Sequence, residues 1–146
     1  MKPKWKQSLN TSRNARAVLP KLVDKYFQAG RKAAGATGSP KALHQFRIAT
    51  KRFRYSLELF RPVYGASLER RLKALRELQR SLGEINDYRT ILKFVPNDEV
   101  LQAKLQKAIK RKSKEFRGRW KVFDSGPQLK NWKAYLAGAP SRSSRP

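Results

Sequence analysis

The chain has no cysteine, a single histidine and only ten carboxylate side chains, and each shortage closes off a class of chemistry. Without cysteine there is no disulfide, no thiolate metal ligand and no redox role. One histidine leaves neither a Ser-His-Asp set with alternatives nor a His/Cys metal site. The carboxylates are scattered, Asp98 and Glu99 being the one adjacent pair, so no acidic cluster is ready to hold Mg²⁺ for phosphoryl chemistry. A Walker-type Gly-rich loop is absent as well. These absences predict a protein that is not an enzyme and needs no metal or cofactor. No apolar run approaches the ~18 to 20 residues of a membrane span. The opening MKPKWKQSLN lacks the apolar stretch of a secretory signal, which predicts a soluble, cytoplasmic protein.

Basic residues are what the chain has in excess. Thirty-five Lys and Arg against ten Asp and Glu give a formal charge of +25, which repels itself in a compact state unless a polyanion or counterions neutralise it. Nucleic acid, inorganic polyphosphate, an anionic membrane or an acidic protein would each serve, and net charge does not choose among them. A hydrophobic content of 39% over 146 residues argues against disorder and for one domain with a core.

No segment alternates with the period of a strand, whereas Gly and Pro punctuate four stretches with helical periodicity. The fold class is therefore all-α, an antiparallel four-helix bundle. The first helix is expected from Thr11 to about Lys32 with Ala15, Val18, Leu22, Tyr26 and Ala29 inward, Pro20 kinking it or marking its start. Ser39-Pro40 opens the second as an N-cap followed by a first-turn proline. Ser67 is expected to cap the third, which runs to about Lys93 with Leu68, Leu72, Leu75, Leu78, Leu82 and Ile85 inward. The fourth begins near Asn97 or Asp98 and ends about Asp124, burying Leu101, Leu105, Ile109, Phe116, Trp120 and Phe123. Residues 1–12 then form a basic N-terminal segment, 13–124 the four-helix domain, 125–137 a short packing segment and 138–146 a mobile Pro/Ser-rich tail.

The second helix, LHQFRIATKRFRYSLELF over 43–60, carries its charge in an unusual place. At about 100° per residue, Leu43, Phe46, Thr50, Phe53, Leu57 and Phe60 share one arc, the alternating spacing of a core seam. His44, Arg47, Lys51 and Arg54 lie beside that seam, and Ile48, Tyr55 and Leu59 border them on the other side. A stripe of cations between two apolar faces is predicted to line a groove, where an anion replaces lost hydration. Arg47, Lys51 and Arg54 combine forked guanidiniums with an adaptable ammonium, a mixture suited to several phosphate oxygens. His44, the one histidine, extends the same stripe and is expected to hydrogen-bond a bound polyanion. The competing reading is a solvated charge face with ordinary helix packing on both sides.

Lys73, Arg76 and Arg80 make a second basic stripe on the third helix, in position to line the same groove. Gln79 and Asn86 fall on its leucine face and need partners if buried, and Gly83 permits close backbone approach. On the fourth helix Lys112 and Arg119 occupy the apolar seam, where they either join the groove or snorkel to the surface.

The block H-x-x-R-x-x-x-K-R-x-R-Y at 44–55, followed by L-x-x-L-Q-x-x-L-G-x-x-N-D at 75–87, resembles the CHAD domain, the conserved histidine α-helical domain, over about residues 13–124. The resemblance implies a helical protein that binds inorganic polyphosphate through a basic cavity without hydrolysing it. His44, Arg47, Lys51, Arg52 and Arg54 match the family's basic helix, Arg76 a Lys/Arg position, and Asp87 the acidic residue after the Leu-Gly pair. Arg80 departs from the acidic residue often found after the glutamine. Some family members stand beside or fused to CYTH-type triphosphatase domains, whose E-x-E-x-K pattern does not occur here. Members usually carry two four-helix units facing one another, whereas this chain carries one of each block. The resemblance thus implies a single unit whose channel is completed by a homodimer docked on Ile48, Tyr55 and Leu59, and association with polyphosphate granules.

The leading reading is a polyphosphate-binding module lined by His44, Arg47, Lys51, Arg52, Arg54, Lys73, Arg76, Arg80, Lys112 and Arg119. The alternative is sequence-nonspecific DNA or RNA binding, for which the net charge suffices and three Trp and five Tyr could supply stacking. Against it, most aromatics fall at core spacing and no nucleic-acid motif is evident.

Overall fold

The computed structural model describes residues 10–35 and 39–138. Most of the expected basic N-terminal segment, and all of the expected mobile tail after Gly138, lie outside them. Among the described residues the regular structure is all helical, with no strand. The helices are α1 (Thr11–Gly35), α2 (Pro40–Leu59), a single turn α3 (Arg61–Tyr64), α4 (Leu68–Phe94), α5 (Glu99–Phe123) and α6 (Gln128–Leu136). The four long ones are the four expected from periodicity.

Local chemistry sets most of the ends. Asn10 opens α1, its side-chain oxygen accepting from the Arg13 backbone N–H at 2.8 Å. Ser39 caps α2 through Ala42 N–H, with Pro40 in the first turn. Asp98 caps α5 through Leu101 N–H at 3.0 Å. Pro20 lies inside α1, which continues through it, so it does not mark the helix start. Ser67 does not cap α4 as expected: its hydroxyl donates to the Tyr64 carbonyl and meets the Tyr135 hydroxyl at 2.6 Å. The chain turns between α3 and α4 at Gly65, whose φ of 72° favours glycine.

Side-chain pairs give the directions. Arg54 of α2 meets Gln79 of α4 and Glu58 meets Arg76, so these helices run antiparallel. Lys112 of α5 meets Glu84 while Gln102 meets the carbonyls of Leu92 and Val95, so α4 and α5 are antiparallel too. α1 packs on both α2 and α6.

The inward face of α2 (Leu43, Phe46, Thr50, Phe53, Leu57) and the leucine seam of α4 are buried as their periodicity predicts. On α1 the buried line is Ala15, Leu19, Val23, Tyr26, Phe27, Gly30 and Ala33; Val18, Leu22 and Ala29 are only half-buried. The shift follows from position, since α1 sits between α2 and α6 and buries a wider arc than one seam. Aromatic rings fill the junction of α1, α2 and α5: Tyr26 stacks on Phe46 and Phe53, and Trp120 packs on Phe27, Phe46 and Phe123. Gly30 is required there, because a Cβ at that position would run into the Trp120 indole. The Tyr26 hydroxyl buried in this junction is paired: Thr50 Oγ1 donates to Phe46 O, so Tyr26 O–H donates to Thr50 Oγ1 at 2.9 Å.

The segment expected to be a packing turn is the helix α6. Its Trp132 and Leu136 are core members, Trp132 lying against Phe53 and Phe123. Arg71 of α4 covers both the Trp132 and Tyr135 rings, and Tyr64 O–H donates to Leu136 O at 2.8 Å. The effect is to clamp α1, α2 and α4 at one end of the bundle.

Candidate functional site

Two helices that bury their seams against a common core must bring the positions beside those seams together. On α2 those positions are Arg47, Lys51 and Arg54, and on α4 they are Arg76, Gln79, Arg80 and Gly83; together they line an open groove of about 300 Å³. The spacing of each set keeps it on one helix face, and the antiparallel course lays one basic stripe along the other. Five cations line the groove and no carboxylate does.

Two of the five are engaged. Arg54, largely buried, donates from Nε to Gln79 Oε1 at 2.8 Å and from Nη1 to Glu58 at 2.6 Å, and its guanidinium lies 4.6 Å from the Tyr55 ring centre. Gln79 thereby has the partner its half-buried position demands, and its amide N–H₂ is left free to donate. Arg76 pairs with Glu69 at 2.9 Å and approaches Glu58 at 3.9 Å. That pairing holds the Glu69 carboxyl below the usual carboxylate range. Among the described residues, Arg47, Lys51 and Arg80 make no ion pair. Arg47 and Lys51 are half-buried, so part of their hydration is already gone. The groove is therefore graded, with neutralised cations at the Glu58 end and unneutralised ones toward Arg47 and Gly83. A Cβ at Gly83 would meet nothing within 4 Å, so packing does not require glycine here, and its lack of a side chain leaves the groove floor open.

The structure thus gathers Arg47, Lys51, Arg54, Arg76 and Arg80 of the expected residues and leaves five apart. His44 is exposed, one turn beyond Arg47 on the same stripe, and is not part of the lining. Arg52 and Lys73 are exposed outside it. Lys112 is held at 2.8 Å by Glu84 and at 3.4 Å by Glu115. The hydrogen bond with Glu84 raises the Lys112 pKa and lowers that of Glu84, which Arg119 and Arg80 lower further through their charge. Lys112 and Arg119 accordingly belong to an ion cluster between α4 and α5, with Arg80 standing between that cluster and the groove. The residue that the sequence reading passed over is Glu58, although its spacing four residues after Arg54 is the signal of a helical ion pair.

Among the described residues, no group of three or more His, Asp or Glu side chains could hold a metal ion, and no helix is long and apolar enough to cross a membrane.

A family model for the CHAD domain matches residues 1–96, a span that contains both walls of the groove. No curated protein and no solved structure matches the chain.

Proposed function

The chain belongs to the CHAD domain family, and on that premise we propose that it binds inorganic polyphosphate, without catalysis, in the groove between α2 and α4. One observation carries the reading: Arg47, Lys51 and Arg80 face a common groove and none of them makes an ion pair among the described residues. Three unneutralised cations at close quarters repel one another and are relieved by an anion with several negative oxygens in succession. A flexible phosphate chain supplies one charged group after another and has no sequence to read, which suits two stripes of Arg and Lys. Arg54, fixed by Gln79, and the free Gln79 amide would add directed donors.

The proposal extends to a second copy of the chain. Tyr55 is 50% exposed and Leu59 78% exposed, with Ile48 half-buried beside them, all on the border of the groove. A second chain docked on this border would cover them and set its own cations across from the first, so association and anion binding would be linked.

Competition tests the reading: labelled polyphosphate is bound, then challenged with tRNA and duplex DNA at equal phosphate content and two salt concentrations. Preferential retention of polyphosphate, lost with Arg47→Ala and Lys51→Ala, is the expected result. Unchanged affinity in those variants would defeat the proposal. A sedimentation shift toward dimer on adding polyphosphate is expected, and a monomer under both conditions would remove the second copy.

A further inference from the structure

Among the described residues, a dense run of unpaired charge lies outside the groove, on the outer face of α5. At about 100° per residue, Lys104, Lys107, Lys110, Arg111, Lys114 and Lys121 fall within an arc of about 140°, opposite the buried line Leu105, Ile109, Phe116 and Trp120. All six are exposed, and Arg117 lies half-buried on the same arc. None of them makes an ion pair among the described residues. The only acid between Lys104 and Lys121, Glu115, stands at the edge of the arc and is turned to Lys112. Neighbours three and four apart, such as Lys107 with Lys110 and Arg111, are like charges that oppose helix formation. A bound polyanion would relieve that opposition.

We infer that this face of α5 is a second, separate binding surface, and that its partner is the phosphate backbone of double-stranded nucleic acid, engaged without regard to sequence. Lys104 to Lys121 spans about 25 Å at 1.5 Å per residue, and a duplex presents a charge every ~1.7 Å of its axis. The exposed face of a helix about 10–12 Å across also matches the ~12 Å width of the major groove, so both edges of the stripe can reach phosphates. The arc carries no aromatic side chain on which to stack unpaired bases, which favours a duplex over a single strand. A bilayer fits less well, because the apolar face of α5 is committed to the core and its exposed Val100 and Val122 lie at opposite ends of the helix. Lysines predominate, compact charges that position on phosphate rather than read bases.

The test uses the full chain and a fluorescent 20-base-pair duplex of mixed sequence, with anisotropy read at 50 to 200 mM salt. The triple variant Lys107→Glu/Lys114→Glu/Lys121→Glu, altered at the centre of the arc, should lose at least about 30-fold in duplex affinity, and the dependence of log K on log salt should flatten by about 3 at ~0.9 per phosphate contact. The matching Gln variant should lose less but move the same way. The groove variant Arg47→Ala/Lys51→Ala should bind duplex within about twofold of wild type. The inference is overturned if the triple variant binds as wild type does, or if the groove variant loses as much. It also fails if phosphatidylserine vesicles displace the duplex at lower charge concentration through the same lysines. The result stands or falls whether or not polyphosphate binds between α2 and α4.

Discussion

Glu58 holds Arg54 at 2.6 Å and lies 3.9 Å from Arg76, so one carboxylate faces two of the five cations that line the groove. It stands where a phosphate oxygen would be welcome, which makes it an internal competitor for any anion that enters. Replacing it by glutamine should strengthen polyphosphate binding. A like charge ~6 Å from a phosphate, at an effective dielectric of ~40, opposes it by about 1.4 kcal/mol, or roughly tenfold in affinity. Loss of the partly exposed helical pair should cost only about 0.5 kcal/mol of stability. Titration calorimetry on Glu58→Gln beside Glu77→Gln, an exposed carboxylate outside the groove, checks this; equal affinities in the two variants would remove Glu58 from the site.

The cations that the sequence groups together should separate in experiment. Arg47→Ala and Lys51→Ala each remove an unpaired charge from the groove and should weaken polyphosphate binding about tenfold, the scale of one charge-assisted hydrogen bond. Arg52→Ala, one residue further along α2 but exposed outside the lining, should stay within about twofold. Equal losses at all three positions would mean that the ligand senses net charge and not this groove.

How far the sequence carried depended on how each helix is surrounded. α2 and α4 each present one core seam and one flank, so their periodicity placed Phe46, Phe53, Leu72 and Leu82 in the core and Arg47, Lys51 and Arg76 beside it. α1 packs against α2 and α6 together, and a single-seam reading chose the flank with Val18 and Leu22 over the buried line through Leu19 and Val23. Lys112 and Arg119 occupy seam positions in the pattern, but a long side chain reaches several ångströms from its helical position. Glu84, visible only once α4 and α5 are paired, draws Lys112 to the rim. Glu58 was legible as a helical partner of Arg54, whereas its approach to Arg76 is a tertiary fact.

Gly30 should tolerate no side chain. A methyl group there meets the six-membered ring of Trp120, in a junction where Phe27, Phe46 and Phe123 leave the indole no room to retreat. Overpacking typically costs about 1–3 kcal/mol, while the better helix propensity of alanine returns up to about 1 kcal/mol. Gly30→Ala should therefore lose roughly 1–2 kcal/mol by urea denaturation. In a double-mutant cycle, Trp120→Leu should recover part of that loss, because the two sites share one volume. Additive losses would show that the ring is not what the methyl meets.

Alkaline pH should destabilise the fold through two tyrosines. Burial pushes the half-buried Tyr64 up to about 12 and raises the Tyr26 hydroxyl, which donates to Thr50 in the core, further still. An unfolded chain releases both protons near pH ~10. Between that pH and the folded values the native state binds more protons than the unfolded one, so stability falls as pH rises. The contribution of each hydroxyl is complete below about pH 10, and that of Tyr64 is lost by about pH 12. Lysines also titrate in this range and their neutralisation relieves self-repulsion, so wild type alone is ambiguous and the comparison must be made against variants at each pH. Tyr26→Phe/Tyr64→Phe should be the less stable protein at pH 8, having lost the hydrogen bonds to Thr50 and to the Leu136 carbonyl. Its urea midpoint should then close on that of wild type between pH 10 and 12, since only wild type carries the penalty of ionising in the unfolded state. A constant gap between the two proteins from pH 8 to 12 would contradict the assignment of these hydroxyls as neutral in the folded state.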